Sequence, residues 1–531
     1  HYINISLYIL SDIKKHRKDK KMNKKKLSVL KRISMLSAVI MLTLTATFSL
    51  TACGKSNIPE NTVFSADDLA GKSVGVQLGT TGDIYVSDME SDGSGTKVER
   101  FNKGNDAIQA LKQGKIDAVV IDAQPAKAFV NANSDLCMLN EDFVTEEYAI
   151  CIAKNNSSFT SKVNDALNVL INNGTIDNII SNYIGENASK QPYEPTGSGE
   201  NGTLTIAVNA YFEPYEYYNN GKVSGIDIDI SNAIADYLGM KLSVEDMEFD
   251  SIITAVSSGK ADMGISGITV TEERKKNIDF TIPYTTSSQV IIVRNNDAAN
   301  HGMSFSDKFK TDFIKDGRYQ YLLTGLKNTL IIALCAAIMG IVIGFLIAVV
   351  RSNHDKTGGM KVLNFICNIY LTVIRGTPTM VQLLIIYYVI FSSVQVNKII
   401  VAILAFGINS GAYVAEIFRS GIMSIDNGQF EAARSLGLSY RKTMKLVILP
   451  QAFKNVLPAL ANEFIVLLKE TSISGYIGLN DLTRGGDIIR SITYDPMLPL
   501  FGVAIIYLVL VVILSSLVKK LERRLRSNER H

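Results

Sequence analysis

Leu204-Thr-Ile-Ala-Val, Asn209-Ala-Tyr-Phe-Glu-Pro-Tyr-Glu-Tyr, Gly225-Ile-Asp-Ile-Asp-Ile and Gly259-Lys-Ala-Asp-Met-Gly-Ile-Ser-Gly-Ile-Thr decide the fold of this chain. Each is a short apolar or alternating run punctuated by Gly, Asn or Pro. Between Gly225 and Leu238 the period changes from two to that of a helix, and Phe249-Asp-Ser-Ile-Ile begins another helical stretch. Strands alternating with helices predict a parallel α/β lobe over residues 203–296. A second α/β pattern precedes it at residues 64–185. It contains Leu69-Ala-Gly-Lys-Ser-Val-Gly-Val-Gln-Leu-Gly-Thr-Thr-Gly, the run Ala107 to Asp122 and a closing helix that ends Asn182-Tyr-Ile-Gly. Residues 186–202, rich in Asn, Ser, Pro and Gly, read as a flexible linker between the two.

The chain has 531 residues and a formal net charge of +3. That length exceeds one ordinary domain. From about Leu322 to Val518 the composition shifts to apolar stretches near bilayer-crossing length. Spans are expected near 322–350, 364–391, 398–418, 456–476 and 497–518, within a membrane domain at 322–520 and before a tail at 521–531. Residues 297–321 read as a linker and elbow, with Asp307 to Asp316 amphipathic. Arg351/Lys356/Lys361, Arg434/Arg441/Lys442/Lys445 and Lys519/Lys520/Arg523/Arg524 follow the first, third and fifth spans. The positive-inside rule puts those segments in the cytoplasm and the two α/β halves outside.

At the other end, Met22 to Arg32 is basic and Ile33 to Leu50 apolar, the layout of an export signal over 22–53. Leu50-Thr-Ala-Cys53 resembles a lipoprotein box with Cys53 as the lipidated residue, and 54–63 reads as a tether. The alternative is a first membrane helix ending by chance in cysteine. Residues 1–21 precede a plausible start at Met22. The five cysteines show no metal-ligand spacing, so no metal site is expected. Cys137 and Cys151 are compatible with pairing outside the cell or with buried free thiols.

The 203–296 series closely resembles the first lobe of extracellular polar amino-acid binding proteins, and 64–185 looks like their second lobe in reversed order. The resemblance implies one circularly permuted, two-lobed receptor of periplasmic-binding-protein type, mixed α/β, followed by an all-α permease of about five helices. The alternative is that each half pairs with a half from another subunit. By the same resemblance Arg274 clamps a substrate carboxylate, helped by Thr269, Ser266 and Gly267 and by the Thr80/Thr81 turn, whose helix N-terminus suits an anion. Asp122 takes the ammonium, Phe212 and Phe249 sandwich the side chain, and Asn209 sits where side chains are discriminated. Without that pattern Arg274 reads as part of a solvated charged run, and the two phenylalanines as core.

Glu431-Ala432-Ala433-Arg-Ser-Leu-Gly437, followed after twelve residues by Pro450, resembles the EAA loop through which ABC import permeases engage their ATPase. Arg375-Gly-Thr-Pro and Leu468-Lys-Glu-Thr-Ser resemble the polar amino-acid branch. Arg375, Glu416, Lys469 and Glu470 either line a translocation path or pair structurally at the interface. No Gly-x-x-x-x-Gly-Lys-Ser/Thr loop occurs, so this chain is not expected to be an enzyme. ATP and Mg would be bound by a separate ABC ATPase subunit, and a pore would form as a homodimer or with a related permease. No nucleic-acid partner is expected. The rival reading is a ligand-gated ion channel with an amino-acid-binding ectodomain. In that arrangement the spans typically interrupt the receptor halves, whereas here both halves precede the spans.

Overall fold

The structure, a computed structural model, describes residues 59–527 apart from 155, 186–187, 190, 198, 297–304, 393, 395 and 496. Cys53, the export signal, tether residues 54–58 and the last tail residues lie outside them. Twelve strands are described: β1 Ser73–Gln77, β2 Lys97–Phe101, β3 Ala118–Asp122, β4 Leu136–Met138, β5 Val144–Ala153, β6 Thr203–Val208, β7 Tyr211–Phe212, β8 Glu216–Asn219, β9 Lys222–Ser224, β10 Lys241–Asp246, β11 Met263–Gly264 and β12 Ile278–Arg294. Nine of them join one sheet in the order β10-β6-β11-β5-β12-β3-β1-β2, with β4 also on β12; β7, β8 and β9 form a small second sheet. The strands flanked by helices pair in parallel. β5 and β12 run antiparallel to each other from Ala153↔Ile278 to Val144↔Gln289. Residues on both sides of the linker therefore complete one sheet within one chain.

Tyr148 to Ile152 of β5 is fully buried, as a strand covered on both faces requires. It divides two cores. The lid lobe packs Val74, Val76, Leu111, Ile121 and Phe129 with Ile291 and Ile292 from the end of β12. The base lobe packs Leu204, Ile206 and Ile234 with Ile150, Leu167 and Ile176. The lobes thus do not follow the expected boundary at residue 185. Helices Ser157–Asn172 and Thr175–Tyr183 lie in the base lobe, because the chain has already crossed on β5.

The linker departs from the flexible expectation. Asp236, on the helix Ile226–Leu238, accepts from Thr196 N at 2.7 Å and Gly197 N at 2.8 Å. Asp229 accepts from Tyr193 N at 2.9 Å. Carboxylates spaced along one helix face capture the amides that a polar linker leaves unpaired.

Three described helices are long and apolar enough to cross a membrane: Tyr319–Asp355, Lys398–Met423 and Leu498–Leu525. A fourth crossing exists if the pair Lys361–Gly376 and Thr379–Ile390, bent by 108°, counts as one. Of the five expected spans, 322–350, 398–418 and 497–518 fall on these three helices, 364–391 on the bent pair, and 456–476 on the helix Leu449–Glu470 and the turn after it. The 364–391 stretch breaks at Gly376-Thr-Pro378, where proline lacks the donor that would continue the helix. Helix Leu449–Glu470 carries Pro458 inside, and Lys454, Glu463, Lys469 and Glu470 lower its hydropathy.

In the EAA-like segment, Asp426 caps the helix Asn427–Ser435 through Gly428 N, as N-caps do. Glu431 and Ala432 are exposed and Ala433 is buried, while Leu436 is 83% exposed. Gly437 follows in the left-handed region at φ +83°, which a β-branched residue enters only with strain. Gly437→Val is expected to distort this turn.

Candidate functional site

One cavity lies where the lobes meet. It is lined by Gln77, Thr80, Thr81, Asp122, Phe212, Phe249, Gly267, Thr269 and Arg274. Eight of the ten expected residues therefore converge, drawn from both lobes. Thr80 and Thr81 sit at the N-terminus of helix Thr81–Ser91, where Thr80 Oγ accepts from Asp83 N. Phe212 is buried and Arg274 stacks over the Phe249 ring at 5.7 Å.

Gly267 adopts φ +54°, and a Cβ there would stand 2.9 Å from the Phe212 ring. Both the turn and the close approach require glycine. Its N–H is engaged, donating to Asp227 Oδ2 at 2.9 Å. Arg274 donates from Nη1 to Thr269 O at 2.7 Å and from Nη2 to Gly79 O at 2.8 Å. One guanidinium thus bridges the base lobe and the lid turn. Burial pulls it below its usual range, so a carboxylate brought beside it would find a desolvated partner.

Asn209 and Ser266 stand behind the cavity wall. Asn209 Nδ2 donates to Met247 O at 2.7 Å. Ser266 Oγ donates to Glu216 and accepts from Asn209 N at 3.1 Å. Their side chains are committed to protein groups, which corrects the expectation that they line the site. Beneath them Glu216 and Asp227 are buried together. Burial and the Asp227 charge push Glu216 well up, and burial raises Asp227 to about 6.

Sequence reading did not find Gln77, Glu146, Tyr148 or Gln289. Tyr148 OH donates to Asp122. Glu146 Oε2 accepts from Thr81 Oγ1 at 2.9 Å, Thr269 Oγ1 at 2.8 Å and Gln289 Nε2 at 3.3 Å. The signal was present: on β5, period two places Glu146 and Tyr148 on one face. Burial, and next the Glu146 charge, raise Asp122 to about 7.

In the membrane region Glu416 pairs with Arg351 at 3.3 Å and Arg419 at 2.6 Å, and Ser410 donates to Glu463 at 3.1 Å. Arg375, Glu416, Lys454 and Glu463 line one cavity with Tyr413. Lys469 and Glu470 are not among its lining. The described cysteines, Cys137, Cys151, Cys335 and Cys367, are free.

A cleft between two hinged α/β lobes, joined in one chain to apolar helices, defines a membrane subunit that captures a solute. Residues 204–470 match the family model of bacterial extracellular solute-binding proteins, family 3. The arginine transport system permease protein ArtQ of Bacillus subtilis (strain 168) is 41% identical over 211 residues, 39% of this chain and 94% of that protein. The glutamine transport system permease protein GlnP of Escherichia coli (strain K12) is 37% identical over 208 residues, 39% of this chain and 93% of that protein. A crystal structure of an amino acid ABC transporter with histidines is 40% identical, covering 42% of this chain and 99% of its own at a TM-score of 0.38. The chain belongs to the amino-acid ABC transport permeases and carries a family 3 solute-binding domain. These relatives favour the importer over the ion-channel reading.

Proposed function

We propose that this chain is the permease and substrate-binding subunit of an ATP-driven importer for polar amino acids, with ATP hydrolysed by a separate subunit. The observation that carries it is that one cavity brings together Arg274, Asp122, Thr80, Thr81, Thr269, Phe212 and Phe249. These residues suit the three parts of an amino acid. Arg274 and the Thr80/Thr81 helix end receive the carboxylate, Asp122 the ammonium, and the two aromatic rings the side chain. The receptor is one circularly permuted domain lying outside the cell. The Glu431–Gly437 turn faces the cytoplasmic ATPase, and two permease copies, or this one and a related chain, enclose the pore.

Titrating the purified full chain with each of the twenty amino acids tests the reading. Heat and saturation are expected with polar amino acids, and silence with all twenty would reject it.

Affinity is also expected to depend on pH. Asp122 must be ionised to accept an ammonium, and burial together with the Glu146 charge raises it to about 7. Below that pH, binding expels its proton, so Kd should weaken by up to about tenfold per unit. Asp122→Asn should remove the slope. Stability runs the other way: between the ordinary 3.8 and about 7 the folded state holds a proton that the unfolded chain does not. The empty protein should therefore lose stability as pH rises through that window, which thermal unfolding without ligand would show.

A further inference from the structure

The receptor is seated on the membrane domain in two chemically different ways. On the base lobe, Met247, Ile252, Ala255 and Val256 share one buried apolar cluster with Leu383, Tyr387, Tyr388, Ile477 and Leu479. Arg484, 2% exposed, pairs there with Asp246, and Lys260 Nζ donates to Val394 O at 2.7 Å. Such a dry, continuous seat resembles a domain core and opens only at large cost.

The lid lobe meets the same membrane domain through a few polar contacts. Lys103 reaches Asp487 at 2.7 Å, Arg490 pairs with Asp106, and Asn105 Nδ2 donates to Arg490 O at 2.8 Å. One ring contact accompanies them, Phe129 edge-on to Tyr494 at 5.2 Å. These pairs are mostly buried, but Asp106, 38% exposed, leaves one end of the Arg490 pair open to water, which can replace a polar contact more readily than it can enter the apolar seat.

One short helix, Leu482–Thr493, contributes to both seats. Arg484 near its start holds the base lobe; Asp487 and Arg490, on the next turns, hold the lid. Lys103 also stands 3.9 Å from Glu248 across the cleft, and Glu248 stands 3.8 Å from Arg484. Lid, base and membrane helix therefore meet at one junction.

We infer that the base lobe is a fixed seat on the membrane domain, that the lid lobe alone swings, and that Asp487 and Arg490 form a latch that holds the lid closed. The receptor then opens by releasing the lid without undocking. The inference rests on the cleft being the amino-acid site. Because latch and ligand both favour the closed form, each strengthens the other.

Distances between paired spin labels in the full chain, in lipid nanodiscs and a cysteine-free background, test this. One pair joins Asp92→Cys on the lid to Lys310→Cys beside the membrane domain; the other joins Lys241→Cys on the base lobe to the same position. In ligand-free protein, Arg490→Glu should add a second, longer population to the lid pair and leave the base pair unchanged. Adding Asp106→Arg to Arg490→Glu should restore the single population, which a merely unfolded variant would not do. Overturning results are both pairs lengthening together, or the lid pair staying put under Arg490→Glu. Titration of the same samples with L-glutamine and L-arginine should show Kd weakened about tenfold by Arg490→Glu and recovered by the exchange. Silence in the unsubstituted chain would count against amino-acid binding, while the label distances would still decide whether the lid alone moves.

Discussion

Arg274→Ala is expected to weaken amino-acid binding by about a hundredfold or more, since truncating one partner of a buried charge pair costs about 2–5 kcal/mol. The guanidinium is 7% exposed and spans from Thr269 O to Gly79 O. Its loss removes the charge proposed to meet a carboxylate and also a tie between lid and base. Arg274→Lys should recover only part of the affinity, because an ammonium keeps the charge but cannot present two parallel donors. Titration calorimetry on the full chain separates the two variants. Equal affinity in Arg274→Ala and the unsubstituted protein would remove the clamp from the site.

Arg484→Ala is expected to cost about 3–5 kcal/mol of stability, because it leaves Asp246 buried without its cation. Asp246 also accepts from Ala210 N at 3.0 Å and Tyr218 OH at 2.7 Å, and these bonds with Arg484 hold its carboxyl below the ordinary range against burial. Arg484→Met combined with Asp246→Asn should regain much of the loss, since the neutral pair is isolated from no partner charge. Thermal unfolding of the detergent-solubilised chain measures both. An unchanged transition in Arg484→Ala would mean that the base lobe is not seated through this pair.

Much of the receptor was legible in the sequence because its signals are local. The alternating runs at Leu204 and Ala118 gave β6 and β3, and turn glycines such as Gly79 and Gly267 marked positions that only glycine occupies comfortably. Eight expected ligand residues met in one cavity because they sit at strand ends and helix starts. Asn209 and Ser266 failed because their side chains are claimed by Met247 O and Glu216, long-range partners that no spacing announces. Glu146 was missed for the opposite reason: a carboxylate in a strand reads as surface until two threonines from different lobes are seen to close over it. The linker was misjudged because its polar composition conceals the carboxylates waiting on a distant helix. In the membrane region the apolar runs located the helices, while the bend at Gly376-Thr-Pro378 and the charges carried by Leu449–Glu470 became visible as interruptions only in the structure.

Uptake by proteoliposomes containing this chain, its ATPase partner and ATP tests the account most directly. ATP-dependent accumulation of labelled L-glutamine or L-arginine is predicted, falling sharply with Arg274→Ala at low substrate. No accumulation of any amino acid, or accumulation indifferent to Arg274→Ala, would contradict it.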